Sequence, residues 1–161
     1  EQRILVSSDK HTNTATFTGK KKYHPLTKLV AVSPDGIVYF LSDSYQGSIN
    51  DNALFQFPEN RNALCLEKDE FIAADRGFPG LNRYQVVTLN NINQTLKNRK
   101  KYENQFGKIR VVVENRIGRI KKYRICAEKT NFKTASLEKI RKIHHQYWQI
   151  CAGIANWDFE P

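Results

Sequence analysis

The residues with the clearest chemical potential are Glu114 and the cations around it. Glu114 lies in residues 110–124, RVVVENRIGRIKKYR, where it is the one carboxylate among arginines, lysines and apolar side chains. On a helix the apolar side chains would form one continuous stripe, made of Ile109, Val113, Ile117 and Ile120. An acid flanked by cations suits a group that meets a polyanion through a metal ion. The alternative is a solvated helix on which Glu114 pairs with Arg110, one turn away.

A second acid, Asp75, stands where an apolar run gives way to a glycine-rich turn. Residues 71–74, FIAA, are expected to form a strand, and DRGFPG follows at 75–80. An acid at the end of a strand lies at the open edge of a sheet, where sites in α/β proteins often form. Converging carboxylates suit Mg²⁺, which takes oxygen ligands and keeps several waters. Alternatively, Asp75 hydrogen-bonds within its own turn.

The charge of the chain indicates a polyanionic partner. Its 161 residues include 26 Lys and Arg against 16 Asp and Glu, which gives a formal net charge of +10. Residues 97–124 hold eleven of these cations and two acids, Glu103 and Glu114. A second patch near the start of the chain comprises Lys20, Lys21, Lys22, His24 and Lys28. Such clusters are typical of nucleic-acid binding, with a solvated basic face as the alternative.

Composition also argues against several classes of protein. No run of 18 apolar residues is present, so no membrane span is expected. No signal peptide is recognised, so we expect an intracellular protein, nuclear in a eukaryote and otherwise cytoplasmic. Three cysteines at wide spacings match neither a zinc motif nor a disulfide framework. The length suits one domain over residues 1–161, and the first residue, Glu1, leaves open an upstream portion.

The elements that would position the two acids are expected to form a mixed α/β domain. Residues 4–6, 14–18 and 86–89 have strand-like patterns, and residues 26–32 and 37–41 predict a hairpin around the turn SPDG at 33–36. Ser48 is expected to cap a short helix that ends near Phe55, with a loop at 58–62. Residues 91–104 are expected to be loop with helical pieces, and residues 124–126 to be extended. Longer helices are expected from about Glu103 to Lys122 and from near Ser136. The second of these would bury Ile140, Ile143, Tyr147, Ile150 and Ile154.

Several blocks of the sequence resemble those of the DDE-type transposase and endonuclease family, in its Harbinger-like and insertion-sequence-like branch. In the order of the family they are residues 19–24 (GKKKYH) with Lys28, 33–36 (SPDG), 40–43 (FLSD), 47–51 (GSIND), 74–78 (ADRGF), 110–121 (RVVVENRIGRIK) and 150–156 (ICAGIAN). The blocks span nearly the whole chain. The 39 positions from Asp75 to Glu114 also suit the last two acids of a DDE set.

The resemblance implies an RNase H-like fold, a central mixed sheet flanked by helices, with a divalent-metal site. Asp75 and Glu114 match the second and third catalytic acids of the family. Asp51 matches a further acid that either caps the following helix or supports the site. The first acid leaves three explanations open: Asp9 serves in a shifted register, the aspartate lies upstream of Glu1, or the acid is lost.

The resemblance further implies Mg²⁺- or Mn²⁺-dependent cleavage of DNA strands, with strand transfer, at a two-metal site held by Asp75, Glu114 and Asp9. The residues expected to contact phosphates or brace the acids are Lys20, Lys21, Lys22, His24, Arg110, Arg116, Arg119, Lys121 and Lys122. A degenerate or domesticated domain that binds DNA or a protein without cutting is the alternative. Family members generally carry an N-terminal helix-turn-helix region, so we expect such a region or a partner protein to find the target. Homo-oligomers are also expected.

Overall fold

The fold is mixed α/β, as predicted, in a computed structural model that describes residues 2–5, 24–89, 96–128, 130–131 and 136–157. Its strands are β1 (Gln2–Leu5), β2 (His24–Thr27), β3 (Val30–Val32), β4 (Val38–Leu41), β5 (Tyr45–Gln46), β6 (Ile72–Ala73), β7 (Val86–Val87) and β8 (Thr130–Asn131). Its helices are α1 (Asp51–Gln56), α2 (Pro58–Ala63), α3 (Leu96–Ile120), α4 (Arg124–Ala127) and α5 (Leu137–Trp157), with a 3₁₀ turn at Asn82–Tyr84. The strand predicted at 14–18 lies outside the described residues. The finer RNase H-like arrangement stays a prediction.

Three small sheets organise the described strands. The largest has the order β5-β2-β1-β8, in which β1 runs antiparallel to β2 and parallel to β8. β3 and β4 form an antiparallel pair, and β6 and β7 form a parallel pair. The parallel pairing of β6 with β7 fixes the direction in which the chain leaves β6, and Asp75 lies two residues beyond that strand.

The hairpin predicted around residues 33–36 is confirmed, but its first strand is shorter than expected. The amide of Gly36 donates to the carbonyl of Ser33 (2.8 Å), and Gly36 has φ +91°, a backbone conformation that favours glycine. The single strand predicted over 26–32 is interrupted at Lys28 and Leu29. There the amide of Leu29 donates to Ser42 Oγ (2.8 Å), and the chain passes from the larger sheet to the β3–β4 pair.

Three local predictions are wrong, and for two of them the reason lies at the start of a helix. The side chain of Asn50, rather than Ser48, accepts the amide of Ala53 and caps α1. Residues 58–62 form α2 instead of a loop, because Pro58 stands at a first-turn position where its fixed φ and missing N–H favour a helix. The segment predicted to be extended at 124–126 is the short helix α4.

The two long helices differ from the predictions in extent and in the face that they bury. α3 starts at Leu96, within the segment expected to be mainly loop, because its lysines and arginines have high helix propensity. α5 buries Ile140, His144, Trp148, Cys151, Ala152 and Ala155, whereas Ile150 is 61% exposed. In the part of the chain that the structure describes, no helix is long and apolar enough to cross a membrane.

Two apolar clusters hold these elements together. In the first, Ile120 at the end of α3 packs with Val38 of β4 and with Trp148 and Cys151 of α5. In the second, Phe55 of α1 packs with Leu81 and Val86 beside the β6–β7 pair. The first cluster fixes the C-terminal end of α3, and the second fixes the strand that leads to Asp75.

Candidate active site

Asp75 is placed by the pairing of β6 with β7 and by the turn that follows. The amide of Ala74 donates to the carbonyl of Val87 (3.0 Å), which extends the strand pairing to the residue before Asp75. The Oδ1 atom of Asp75 accepts the amide of Arg76 (2.8 Å), and its carbonyl accepts the amide of Phe78 (3.2 Å). The turn interaction considered for Asp75 is therefore present, yet the side chain remains 63% exposed and open to a further partner.

Glu114 lies on the exposed face of α3, one helical turn after Arg110. Arg110 Nε donates to Glu114 Oε1 at 2.8 Å, which is the i, i+4 pair expected on a helix. Glu114 keeps 58% of its side chain exposed. The carboxylate of Glu114 is thus carried on a regular helix at the protein surface.

The guanidinium of Arg110 joins the two acids. Its Nη1 atom lies 3.9 Å from Asp75 Oδ1 while its Nε atom donates to Glu114. These interactions raise the pKa of Arg110 above its ordinary value, first through the hydrogen bond to Glu114 and then through the charge of Asp75. Two carboxylates that are 39 positions apart in the sequence therefore converge on one cation.

An apolar cavity of about 510 Å³ lies beside this acid pair, between α3 and the strands β3, β4 and β6. Phe40, Phe55, Ile72, Phe106 and Val113 line it, together with Asp75 and Arg110. The stripe expected on α3 therefore meets two environments: Ile109 and Val113 line this cavity, with Ile109 45% exposed, whereas Ile120 is fully buried in the first apolar cluster. Asp75 and Arg110 therefore border an apolar surface, while their side chains remain more than half exposed.

Two further acids are predicted for the site, Asp51 and Asp9. Asp51 is the first residue of α1, where a negative charge favours the helix N-terminus, and the neighbouring Asn52 donates to the carbonyl of Pro79 (2.8 Å). That bond brings the start of α1 to the loop that follows Asp75. Asp9 lies outside the described residues. Among the residues that are described, no group of three or more His, Cys, Asp or Glu side chains is arranged to hold a metal ion.

Apart from Arg116, the predicted DNA-contacting residues fall into three groups. Arg110, Arg119 and Lys122 are exposed on or just after α3, and Lys121 is half-buried. His24 begins β2, opposite Ile4 of β1. The residues that lie outside the described ranges are Lys20, Lys21 and Lys22.

Arg116 does not share the exposed position predicted for it. It is 4% exposed, and its Nη1 atom donates to the carbonyl of Ala155 near the end of α5 (3.2 Å). Its guanidinium lies against Gly36, where a Cβ atom would come within 2.9 Å of Nη2. Burial lowers the pKa of Arg116. Arg116 therefore ties α3 to the β3–β4 turn and to α5, inside the protein rather than on a DNA-facing surface.

The structure also holds a polar cluster between β2, β4 and α5 that was not predicted from the sequence. Lys28 Nζ donates to the carbonyl of Ser42 (2.6 Å) and lies 2.7 Å from His145 Nδ1. His144 Nδ1 lies 2.6 Å from Ser44 Oγ. Burial lowers the pKa of Lys28 to about 7 and that of His144 to about 3. The one signal for this cluster in the sequence is the pair of adjacent histidines, His144 and His145. Because side chains at successive helical positions point in different directions, one of the two could be expected to turn towards the protein.

Comparison with known proteins identifies a family for almost the whole chain. A family model described as DDE superfamily endonuclease matches residues 1–156. No curated protein and no solved structure gives a match. The family match confirms the resemblance seen in the sequence at the level of the superfamily. The narrower Harbinger-like and insertion-sequence-like branch stays a prediction.

Proposed function

Since the chain belongs to the DDE superfamily endonucleases, we propose that it is the catalytic domain of a divalent-metal-dependent DNA endonuclease or transposase. One observation carries the proposal: Asp75 and Glu114, on separate elements, converge on the guanidinium of Arg110. We infer that two acids which approach one cation at the protein surface can bind a divalent ion in its place.

The donor set fits Mg²⁺ or Mn²⁺. Both acids offer exposed carboxylate oxygens, and Mg²⁺ is often held by one or two carboxylates together with substrate phosphates and waters. When bound, such ions activate a water or a 3′-hydroxyl and stabilise the leaving oxygen in phosphodiester cleavage. We assign Asp75 and Glu114 as metal ligands, with Asp9 as the proposed third ligand and Asp51 as a supporting acid. A two-metal site and an RNase H-like arrangement belong to the same proposal.

The basic surface of α3 would hold the DNA backbone beside the acids. Phosphate contacts position a duplex without reading its sequence, so this domain should bind DNA with low specificity and strong salt dependence. Specific targeting is then assigned to a helix-turn-helix region or to a partner protein, and assembly to a homo-oligomer. The proposed DNA contacts are Lys20, Lys21, Lys22, His24, Arg110, Arg119, Lys121 and Lys122.

A plasmid-nicking assay with Mn²⁺ or Mg²⁺ tests the proposal. Glu114→Gln and Asp75→Asn remove one charge each while they keep the size of the side chain. Glu138→Gln and Asp69→Asn make the same changes at exposed positions on α5 and in the loop after α2. We expect metal-dependent nicking by the wild type and the two control variants, and its loss in the variants of Glu114 and Asp75.

The opposite result would favour the alternative function. If no protein nicks DNA while all of them bind it in a salt-sensitive manner, the chain is a degenerate or domesticated DNA-binding domain. If the Glu114 and Asp75 variants nick as well as the wild type does, the proposed acid pair is wrong.

A further inference from the structure

Arg110 occupies the place between the two proposed metal ligands. We propose that Arg110 is an internal counter-cation of the acid pair, which holds Asp75 and Glu114 in the absence of a divalent ion and moves to a DNA phosphate when the ion binds. This inference rests on the proposed function, and it concerns how metal binding and DNA binding are coupled at that site.

The contacts of Arg110 are suited to exchange. Arg110 Nε makes one direct hydrogen bond to Glu114 (2.8 Å), whereas the 3.9 Å between Nη1 and Asp75 Oδ1 is an electrostatic contact without a hydrogen bond. All three side chains are more than half exposed. Exposed ion pairs contribute little to stability, because water and salt screen them and because long side chains lose entropy when they are held. The pair can therefore open at small cost.

Charge and geometry make Arg110 and a divalent cation competitors. Two carboxylates and one guanidinium leave one net negative charge, whereas a divalent cation balances both acids. Such an ion takes carboxylate oxygens as ligands, and Oε1 of Glu114 already accepts a hydrogen bond from Arg110. Entry of the ion places a divalent cation beside the guanidinium. The repulsion between the two cations favours release of Arg110. Removal of Arg110 should thus strengthen metal binding.

A released arginine beside a metal site is well placed for DNA. The planar guanidinium donates two parallel hydrogen bonds to a phosphate, a geometry that lysine lacks. A phosphate that recruits Arg110 leaves both acids available to the cation, and a cation that displaces Arg110 leaves it available to the phosphate. Coupling of this kind is reciprocal: DNA should tighten metal binding by the factor by which the metal tightens DNA binding.

Titration of the full chain with Mn²⁺, followed through the electron paramagnetic resonance signal of the free ion, measures the competition without relying on catalysis. We expect Arg110→Gln to lower the Kd for Mn²⁺ about two- to fivefold, the range that an exposed ion pair can supply. Lys108→Gln is the matched control, because it removes the same charge two positions earlier, on the opposite side of α3. Its Kd should stay close to that of the wild type.

Repeating the titration with a short DNA duplex tests the coupling. The duplex should lower the Kd for Mn²⁺ by a larger factor in the wild type than in Arg110→Gln, since the variant has no guanidinium to displace. An Arg110→Gln variant that binds Mn²⁺ equally or more weakly than the wild type, in a protein whose binding Glu114→Gln abolishes, would overturn this inference alone. Absence of Mn²⁺ binding in both the wild type and Arg110→Gln would overturn the proposed function and this inference together.

Discussion

The side-chain amide of Asn156 pairs with the backbone of Val38 as a neighbouring strand would. Its Oδ1 atom accepts the amide of Val38 (3.0 Å), and its Nδ2 atom donates to the carbonyl of Val38 (2.8 Å). Val38 is only 7% exposed, so little water is available to replace these bonds. The two bonds fasten the last turn of α5 to β4, next to the carbonyl that holds Arg116. We expect Asn156→Asp to destabilise the protein in a pH-dependent way.

The magnitude follows from the two hydrogen bonds. Asn156→Leu removes both and leaves a buried N–H and a buried carbonyl of Val38 without partners, which should cost about 2–4 kcal/mol. Asn156→Asp keeps the bond to the amide, but near pH 7 it sets a carboxylate oxygen against the carbonyl of Val38, at a cost of about 3 kcal/mol. When the introduced carboxyl is protonated, its O–H can donate to that carbonyl, and the cost should fall to about 1 kcal/mol.

The direction of the pH dependence is fixed by the same contact. The carbonyl of Val38 opposes the ionised form, so the pKa of the introduced carboxyl is higher in the folded state than its value of about 3.9 in the unfolded chain. The folded state then binds more protons than the unfolded state between these two values. The stability of the variant relative to the wild type is therefore greatest below about pH 4 and falls as the pH rises through the folded pKa.

Urea denaturation followed by tryptophan fluorescence between pH 4 and pH 8 measures these differences. We expect the difference in unfolding free energy between wild type and Asn156→Asp to grow with pH, and the difference for Asn156→Leu to stay constant. An Asn156→Asp difference that does not change with pH would refute the assignment of Nδ2 as a donor to Val38. A cost below about 1 kcal/mol for Asn156→Leu would refute the whole pairing.

Three further predictions concern other contacts of the fold. Gly47→Ala should destabilise the protein by about 1–3 kcal/mol in urea denaturation, because the added Cβ would clash with the ring of Pro25 and lie 2.9 Å from its carbonyl oxygen. An unchanged midpoint of urea denaturation would contradict the close packing of β2 and β5. Arg116→Gln should leave DNA affinity and its salt dependence unchanged in fluorescence anisotropy. Arg119→Gln should reduce by about one the slope of the logarithm of the binding constant against the logarithm of the salt concentration. A reduced slope for Arg116→Gln would contradict the burial of Arg116. Burial lowers the pKa of Lys28 from 10.5 to about 7, so the unfolded chain binds more protons between these values and stability should rise with pH there. Lys28→Met should flatten that rise, and an unchanged pH profile would show that Lys28 titrates normally in the folded protein.

The parts of the fold that follow from local signals could be predicted from the sequence. The β3–β4 hairpin depends on Pro34 and Gly36 in a four-residue turn, and both act within that turn. The start of α1 required a choice between Ser48 and Asn50, two residues with nearly equal capping preference. An ambiguity of this kind shifts the predicted start of the helix by a few residues, but the segment is still predicted to be a helix.

Apolar spacing predicts the buried face of α5 only in part: Ile140 is fully buried, as expected. Ile150 was expected inside, because β-branched apolar residues at helical spacing usually face a core. The structure instead buries His144, whose Nδ1 lies 2.6 Å from Ser44 Oγ, together with Trp148 and Cys151. The partner of His144 is 100 positions away in the sequence, and no local pattern reveals it.

The candidate site shows the same division between local and long-range information. The pair of Arg110 with Glu114 follows from helical spacing alone. The approach of Asp75 to Arg110 depends on how α3 packs against the strands, which spacing does not determine. Arg116 lies on the same helix as the exposed cations, and only the tertiary structure shows that Ala155 supplies it with a buried acceptor.

Metal-directed cleavage of the protein backbone tests most directly whether Asp75 and Glu114 hold one divalent cation. With Fe²⁺ in place of Mg²⁺, ascorbate and hydrogen peroxide generate hydroxyl radicals at the bound ion, and these cut the nearest peptide segments. We predict fragments that end near residues 75 and 114, suppressed by excess Mg²⁺ and absent from Glu114→Gln. Cuts confined to other segments, or the same cuts in Glu114→Gln, would contradict the proposed site.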